Sequence, residues 1–153
     1  MLFSVIALIF SCTRKKAFFI IESEGANLKV EVVADSIKIP VGMDFLPDSR
    51  LLVTDQAAGN IVAVNIKTGE KELLQNVPKV VGKADGGMLD VLVHPDYDRN
   101  GWIYFCYSAG DDSSNTMVVG RAKLDGLRLV QRERLLPHCH TIKNRSITAH
   151  AWY

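Results

Sequence analysis

The sequence predicts an all-β chain that holds about two blades of a β-propeller, and three observations carry that reading. The first is the stretch Gly86-Gly87-Met88-Leu89-Asp90-Val91-Leu92-Val93-His94-Pro95-Asp96, which leads through Asn100-Gly101 into Trp102-Ile103-Tyr104-Phe105-Cys106-Tyr107-Ser108. Two apolar runs joined by a polar turn read as paired strands. The second is an earlier copy of the same order of parts, Phe45-Leu46-Pro47-Asp48-Ser49-Arg50-Leu51-Leu52-Val53-Thr54-Asp55, in which Pro47 stands 48 residues before Pro95. Propeller blades repeat every ~40–50 residues because a four-stranded sheet cannot bury both faces alone. The third is that each hairpin is followed by a further strand, Asn60 to Ile66 and Thr116 to Leu124. Each of these then meets a glycine turn, Thr68-Gly69 or Asp125-Gly126. An unrelated pair of hairpins in a small β domain is the competing reading.

The elements follow in order. Residues 1–16 read as an export signal and tether. Met1 to Phe10 is apolar, too short for the ~20 residues of a spanning helix, and is followed by Ser11-Cys12 and the basic run Thr13-Arg14-Lys15-Lys16. Ile9-Phe10-Ser11-Cys12 resembles a bacterial lipoprotein box, which makes Cys12 the candidate lipidation site. A buried first strand of a cytoplasmic protein is the alternative. Residues 17–27 are expected as a linker. Leu28 to Ala34 alternates as a half-exposed strand does, and Ile39 to Phe45 is a strand with Pro40 at its entrance, where a missing amide is tolerated. The hairpin Leu46 to Asp55, the strand Asn60 to Ile66 and the strand Glu70 to Leu74 complete the first blade. Residues 28–137 form the propeller segment, and residues 138–153 an atypical tail. No stretch has sustained helical periodicity.

Composition removes several classes. The chain has 153 residues, is 48% hydrophobic and carries 18 basic against 17 acidic residues, a net charge of +1. That is enough apolar material for a core, and it leaves no electrostatic footprint for nucleic acid. A closed propeller needs at least four blades, so the chain is expected to be a piece of one. Cys12, Cys106 and Cys139 show neither paired spacing nor C-x-x-C, which argues against a zinc site or a disulfide framework. Cys106 reads as a packed thiol. His138, Cys139 and His140 are adjacent, and adjacent residues rarely converge on one ion without ligands from elsewhere.

Gly82-Lys83-Ala84-Asp85-Gly86-Gly87 is a glycine-rich connection between blades, open to close approach by a ligand or a strand. It is not a phosphate loop, because Ala84 follows Lys83 and a strand follows the glycines. Ala109 to Asn115, with Asp111 and Asp112, reads as a solvated loop: calcium needs 6–8 oxygen ligands, and the spacing matches no EF-hand. Asn144-Arg145-Ser146 matches a glycosylation acceptor that recurs by chance.

The residues Pro40-Val41-Gly42-Met43-Asp44-Phe45-Leu46-Pro47-Asp48, Gly86-Gly87-Met88-Leu89-Asp90-Val91 and His94-Pro95-Asp96-Tyr97 with Asn100-Gly101-Trp102-Ile103-Tyr104 resemble the pyrroloquinoline-quinone-dependent sugar dehydrogenases, the glucose/sorbosone dehydrogenase family that includes soluble glucose and aldose sugar dehydrogenases. The resemblance implies a six-bladed propeller with the quinone (PQQ) and calcium at its central channel. It implies oxidation of an aldose at the anomeric carbon to a lactone, and a periplasmic or membrane-anchored location. It also implies a histidine general base in a His-x-Gly-x-Arg-Leu motif. None of His138, His140 and His150 is followed by that pattern, so no catalytic base is assigned, and a frameshift near Arg145 would account for the tail. Relatives often carry a glutamine before the glycine of the Gly-x-Leu-Leu run, facing the sugar. Here that slot holds Asp85, the one candidate substrate-binding residue, with a plain loop residue as the alternative. His94 is expected to serve the His-Pro-Asp turn.

The expectation is therefore an inactive N-terminal piece of an exported quinoprotein sugar dehydrogenase. PQQ and calcium belong to the whole protein and their ligands lie outside this chain; the partner is an aldose, with no nucleic acid, and with a membrane only through a lipid anchor. An exported propeller that binds or scaffolds, and a calcium-dependent lactonase-like propeller, are the rivals.

Overall fold

In the computed structural model, residues 18–82, 85–111, 113–136 and 142–143 are described. Two units are distinguished, residues 1–33 and residues 34–153. The first contains an antiparallel hairpin of β1 (Phe18–Glu22) and β2 (Asn27–Glu31). Its turn is closed by Ser23, whose amide and hydroxyl both donate to the Ala26 carbonyl, at 3.2 and 2.8 Å. Residues 17–27, expected as a linker, thus contain a strand and a turn. The run Phe18-Phe19-Ile20-Ile21 has no polar alternation to announce it.

The second unit holds two antiparallel sheets. One has the order β3 (Pro40–Phe45), β4 (Arg50–Asp55), β5 (Asn60–Asn65), β6 (Lys71–Leu73). The other runs β7 (Met88–Val93), β8 (Trp102–Gly110), β9 (Ser114–Asp125), β10 (Arg128–Leu136), with the short β11 (Ile142–Lys143) also against β9. Each sheet is an up-and-down meander of consecutive strands, as a blade requires. A single helical turn, α1 (Tyr97–Asn100), interrupts them.

The two hairpin turns begin alike and then diverge. In the first, Phe45 pairs with Leu51 across a tight turn in which Ser49 takes a positive φ of 69°. In the second, Val93 pairs with Ile103, so the loop is longer by four residues, and α1 takes up the difference before Gly101 ends it at φ 67°. His94 is a turn residue, as expected. Its Nδ1 accepts the Asp96 amide at 2.9 Å and lies 2.9 Å from the Asn100 side-chain amide.

Alternation decides which face meets which. Leu52, Ile61 and Ala63 of the first sheet join Val91, Ile103, Phe105, Tyr107, Val118 and Ala122 of the second in one shared core. The opposite face of the first sheet buries Val53, Val62 and Val64 beneath Ala34 and Ile37. Polar groups stitch the sheets at their inner strands. The fully buried Thr54 hydroxyl accepts the Gly42 amide at 2.8 Å and has two acceptors for its proton, Gly42 O and Leu89 O, each at 3.3 Å. The Asp44 carboxylate accepts the Phe45 amide (2.8 Å) and, across the sheets, the Val93 amide (2.7 Å). At the outer edge, Gln75 bridges to β10 by donating to Leu127 O (2.7 Å) and accepting from the Leu129 amide (3.0 Å).

Asp55 anchors the entrance of the first sheet, accepting the amides of Lys38 (3.2 Å), Ile39 (3.4 Å) and Ala58 (3.2 Å). Burial pushes its carboxyl up, but these amides and the Lys38 charge outweigh burial and hold it below the usual carboxylate range. A depressed pKa contributes stability that is present above the unfolded value of about 3.9 and lost as pH falls through the folded value. Asp55→Asn is therefore expected to cost about 1–3 kcal/mol at pH 7 and to flatten the loss of stability below about pH 4. Denaturation curves at several pH values measure both, and an unchanged acid limb would contradict the assignment.

Candidate functional site

The inner strands β3 and β7 run in the same direction, since Gly42 lies against Asp90 and Asp44 reaches Val93. The antiparallel pairing therefore gathers three connections at one end of the stacked sheets: the turn 56–59, the connection 74–87 and the turn after Gly110. Asp85 belongs to this end. His94 leaves β7 at the other end, about 20 Å away at the rise of a six-residue strand.

Asp85 is exposed, and its place is set through its backbone. The Gln56 side-chain amide donates to the Asp85 carbonyl at 2.8 Å. Next to it, Gly87 takes φ 134° and presses so closely on Gln56 that a Cβ there would lie 2.2 Å from the Gln56 carbonyl oxygen. Behind the loop, the Ser108 amide donates to Gly87 O and the Val81 amide to Ser108 O, both at 2.9 Å. The Ser108 hydroxyl is buried and has no hydrogen-bond partner among the described residues. The result is an exposed carboxylate on a lip fixed at its Asp85 carbonyl by Gln56, able to accept hydrogen bonds from hydroxyl groups.

Gln56 and Ser108 belong to the same end as Asp85, and little in the sequence marks either of them. The only local signal for Gln56 is the Thr54-Asp55-Gln56 run that closes a strand. Ser108 reads as the polar end of an apolar strand, and its burial follows from the second sheet's position. Asp111 is engaged in its own turn: the Ser113 hydroxyl (2.6 Å) and the amides of Ser113 and Ser114 (2.8 and 2.9 Å) hold its carboxyl below the usual range. Cys12, Asp112, His138, Cys139, His140 and His150 lie outside the described residues.

The implied quinone and calcium can be tested against this end. Among the described residues, no three His, Cys, Asp or Glu side chains converge as ion ligands. The charged side chain that the lip presents, Asp85, does not complement the carboxylates of a quinone. These residues do not fit either group by themselves.

Two four-stranded meanders stacked through their inner strands define the chain as part of a β-propeller. The family model described as glucose / sorbosone dehydrogenase matches residues 37–150, and the chain belongs to that family. The match runs into the tail that begins at residue 138. Among curated proteins, the chain is 31% identical over 85 residues to quinoprotein glucose dehydrogenase B of Acinetobacter calcoaceticus, covering 54% of this chain and 18% of that one. It is 32% identical over 100 residues to the aldose sugar dehydrogenase YliI of Escherichia coli K12, covering 65% and 27%. A third similar protein, from Synechocystis, is 30% identical over 118 residues, 72% of this chain and 28% of that protein, and is described only as uncharacterized.

Solved structures agree. The apo-form of the soluble aldose sugar dehydrogenase of Escherichia coli superposes with a TM-score of 0.64 at 29% identity, over 69% of this chain and 31% of that one. The PQQ-bound aldose sugar dehydrogenase of Streptomyces coelicolor gives 0.56 at 27% identity, over 79% and 34%. The chain thus spans between about a fifth and a third of the length of these relatives.

Proposed function

We propose that the whole protein to which these two sheets belong oxidises an aldose at its anomeric carbon to a lactone, with PQQ as hydride acceptor and calcium as the accompanying ion. The observation that carries this reading is the family match over residues 37–150, which spans both stacked sheets and the Asp85 lip between them. The quinone supplies the redox chemistry when bound. What this chain supplies is position: the inner strands, and a lip where Asp85 accepts a hydrogen bond from a sugar hydroxyl. Dye reduction by the whole gene product, with PQQ, calcium and a panel of aldoses, tests the reading. Quinone-dependent reduction is expected. No reduction with any aldose, alongside lactone hydrolysis or simple sugar binding, would replace it with one of the rival activities.

Asp85→Ala is expected to raise the apparent KM for the sugar about tenfold, the value of one hydrogen bond to a charged group, and to leave kcat within about twofold. An unchanged KM would return Asp85 to the role of a loop residue. We also place the protein outside the cytoplasm, held by lipid at Cys12, on the strength of the apolar run before Cys12 and the basic run after it. Fractionation of cells carrying wild type and Cys12→Ala tests this. Membrane association lost in the variant is expected, and a soluble cytoplasmic location for both forms would end the idea.

A further inference from the structure

The second sheet carries a groove that does not include Asp85, between the connection that leaves β6 and the outermost strand β10. Its floor is aromatic, built from Phe105 and Tyr107 of β8, and its rim is cationic, with Lys79 on one side and Arg132 and Arg134 on the other. The volume is about 300 Å³, the size of a small-molecule site. A second opening of about 620 Å³ shares Lys79 and Arg134 and continues toward Gly110 and Asp111.

Several independent features build this arrangement. Gly120 sits opposite Phe105 and has no side chain to fill the space; a Cβ there would stand 2.9 Å from the Phe105 ring. β10 breaks register between Val130 and Glu133, with Gln131 at φ 49°. A bulge of this kind re-aims the side chains that follow it. It places Arg132 and Arg134 at one cavity across from Lys79, which is more than fifty positions away in sequence. Glu133 also lines the cavity, but its carboxylate is held by Arg121 of β9 at 2.7 Å. Asp111, at the far opening, is held by Ser113 and Ser114. No ion pair or hydrogen bond engages the side chain of Lys79, Arg132 or Arg134 among the described residues.

We propose that this groove is an anion site, taking a small molecule that carries phosphoryl or clustered carboxylate oxygens. Three like charges around one cavity repel until an anion enters, and two guanidinium forks match the oxygens of a phosphoryl or carboxylate group. The aromatic rings of Phe105 and Tyr107 in its lining suit an apolar or planar body. The site needs neither quinone nor sugar, so it is independent of the activity proposed above.

Calorimetric titration of the chain with inorganic pyrophosphate in one arm and citrate in the other tests it, at fixed ionic strength set with sodium chloride. Saturable binding of at least one is expected, stronger for pyrophosphate if the phosphoryl source is correct and for citrate if the carboxylate source is. The double variant Arg132→Gln/Arg134→Gln is expected to weaken it at least about tenfold. The control Arg99→Gln, in α1 at the other end of the molecule, is expected to leave it unchanged. Circular dichroism and the thermal midpoint of each variant establish that it is folded. Equal affinity in wild type and the double variant, loss in the control as well, or no saturable binding of either anion would overturn the proposal.

Discussion

Replacing Gly87 by alanine is expected to lower stability by about 3 kcal/mol or more. Two costs add at this position. A φ of 134° is a backbone conformation that side-chain-bearing residues rarely adopt, worth of order 1–3 kcal/mol. The new Cβ would stand 2.2 Å from the Gln56 carbonyl oxygen and 3.0 Å from its carbonyl carbon, which are backbone atoms that cannot rotate away. Overpacking of that kind costs about another 1–3 kcal/mol. Relief requires the connection to separate from the end of β4, which also breaks the Gln56 to Asp85 hydrogen bond. Urea denaturation of wild type and variant gives the stability loss, and amide exchange in residues 56–59 reports the separation. Asp85→Ala, by contrast, removes only an exposed side chain and should change stability by less than about 0.5 kcal/mol. A Gly87 variant as stable as the Asp85 variant would contradict the geometry.

Leu52→Ala is expected to cost about 2–5 kcal/mol, the range for truncating a fully buried leucine. Leu52 is 0% exposed and belongs to the core shared by the two sheets, so the lost methyl groups leave a void that both sheets border. The informative comparison is Leu73→Ala in the same sheet. Leu73 is 58% exposed and sits on the three-residue edge strand β6, so its truncation should fall within about 0.5 kcal/mol of zero. Equal losses at both positions would mean that the sheets do not share a core.

Much of this architecture is legible in the sequence because the repeat is written in the turns. Pro47-Asp48 and Pro95-Asp96 punctuate apolar runs of strand length, and the strands flanking them form where the alternation places them. Two elements are not legible for physical reasons. α1 is a single turn, too short to show a helical period. β1 is uniformly apolar over Phe18 to Ile21, so neither alternation nor a turn residue marks its start. The candidate site is only partly legible. Asp85 can be located by its place before Gly86-Gly87, but what fixes it, the Gln56 side chain and the tight approach at Gly87, is a contact between segments about thirty residues apart. The cationic groove is hidden more deeply, since Lys79 and the two arginines meet only after the second sheet has formed and β10 has bulged.

The unequal hairpin loops carry a consequence for how such a molecule can vary. Phe45 with Leu51 and Val93 with Ile103 close loops that differ by four residues, and the pairs next to each loop keep a regular register, back to Met43 with Val53 and to Asp90 with Cys106. Length is therefore cheap to alter at that pole, because the extra backbone coils into its own helical turn and leaves the adjoining strand pairs in register. The opposite pole has less latitude at Gly87, where the backbones of two connections touch and leave no room for even one more carbon atom. Insertions should accumulate on one side of the ring and be purged from the other.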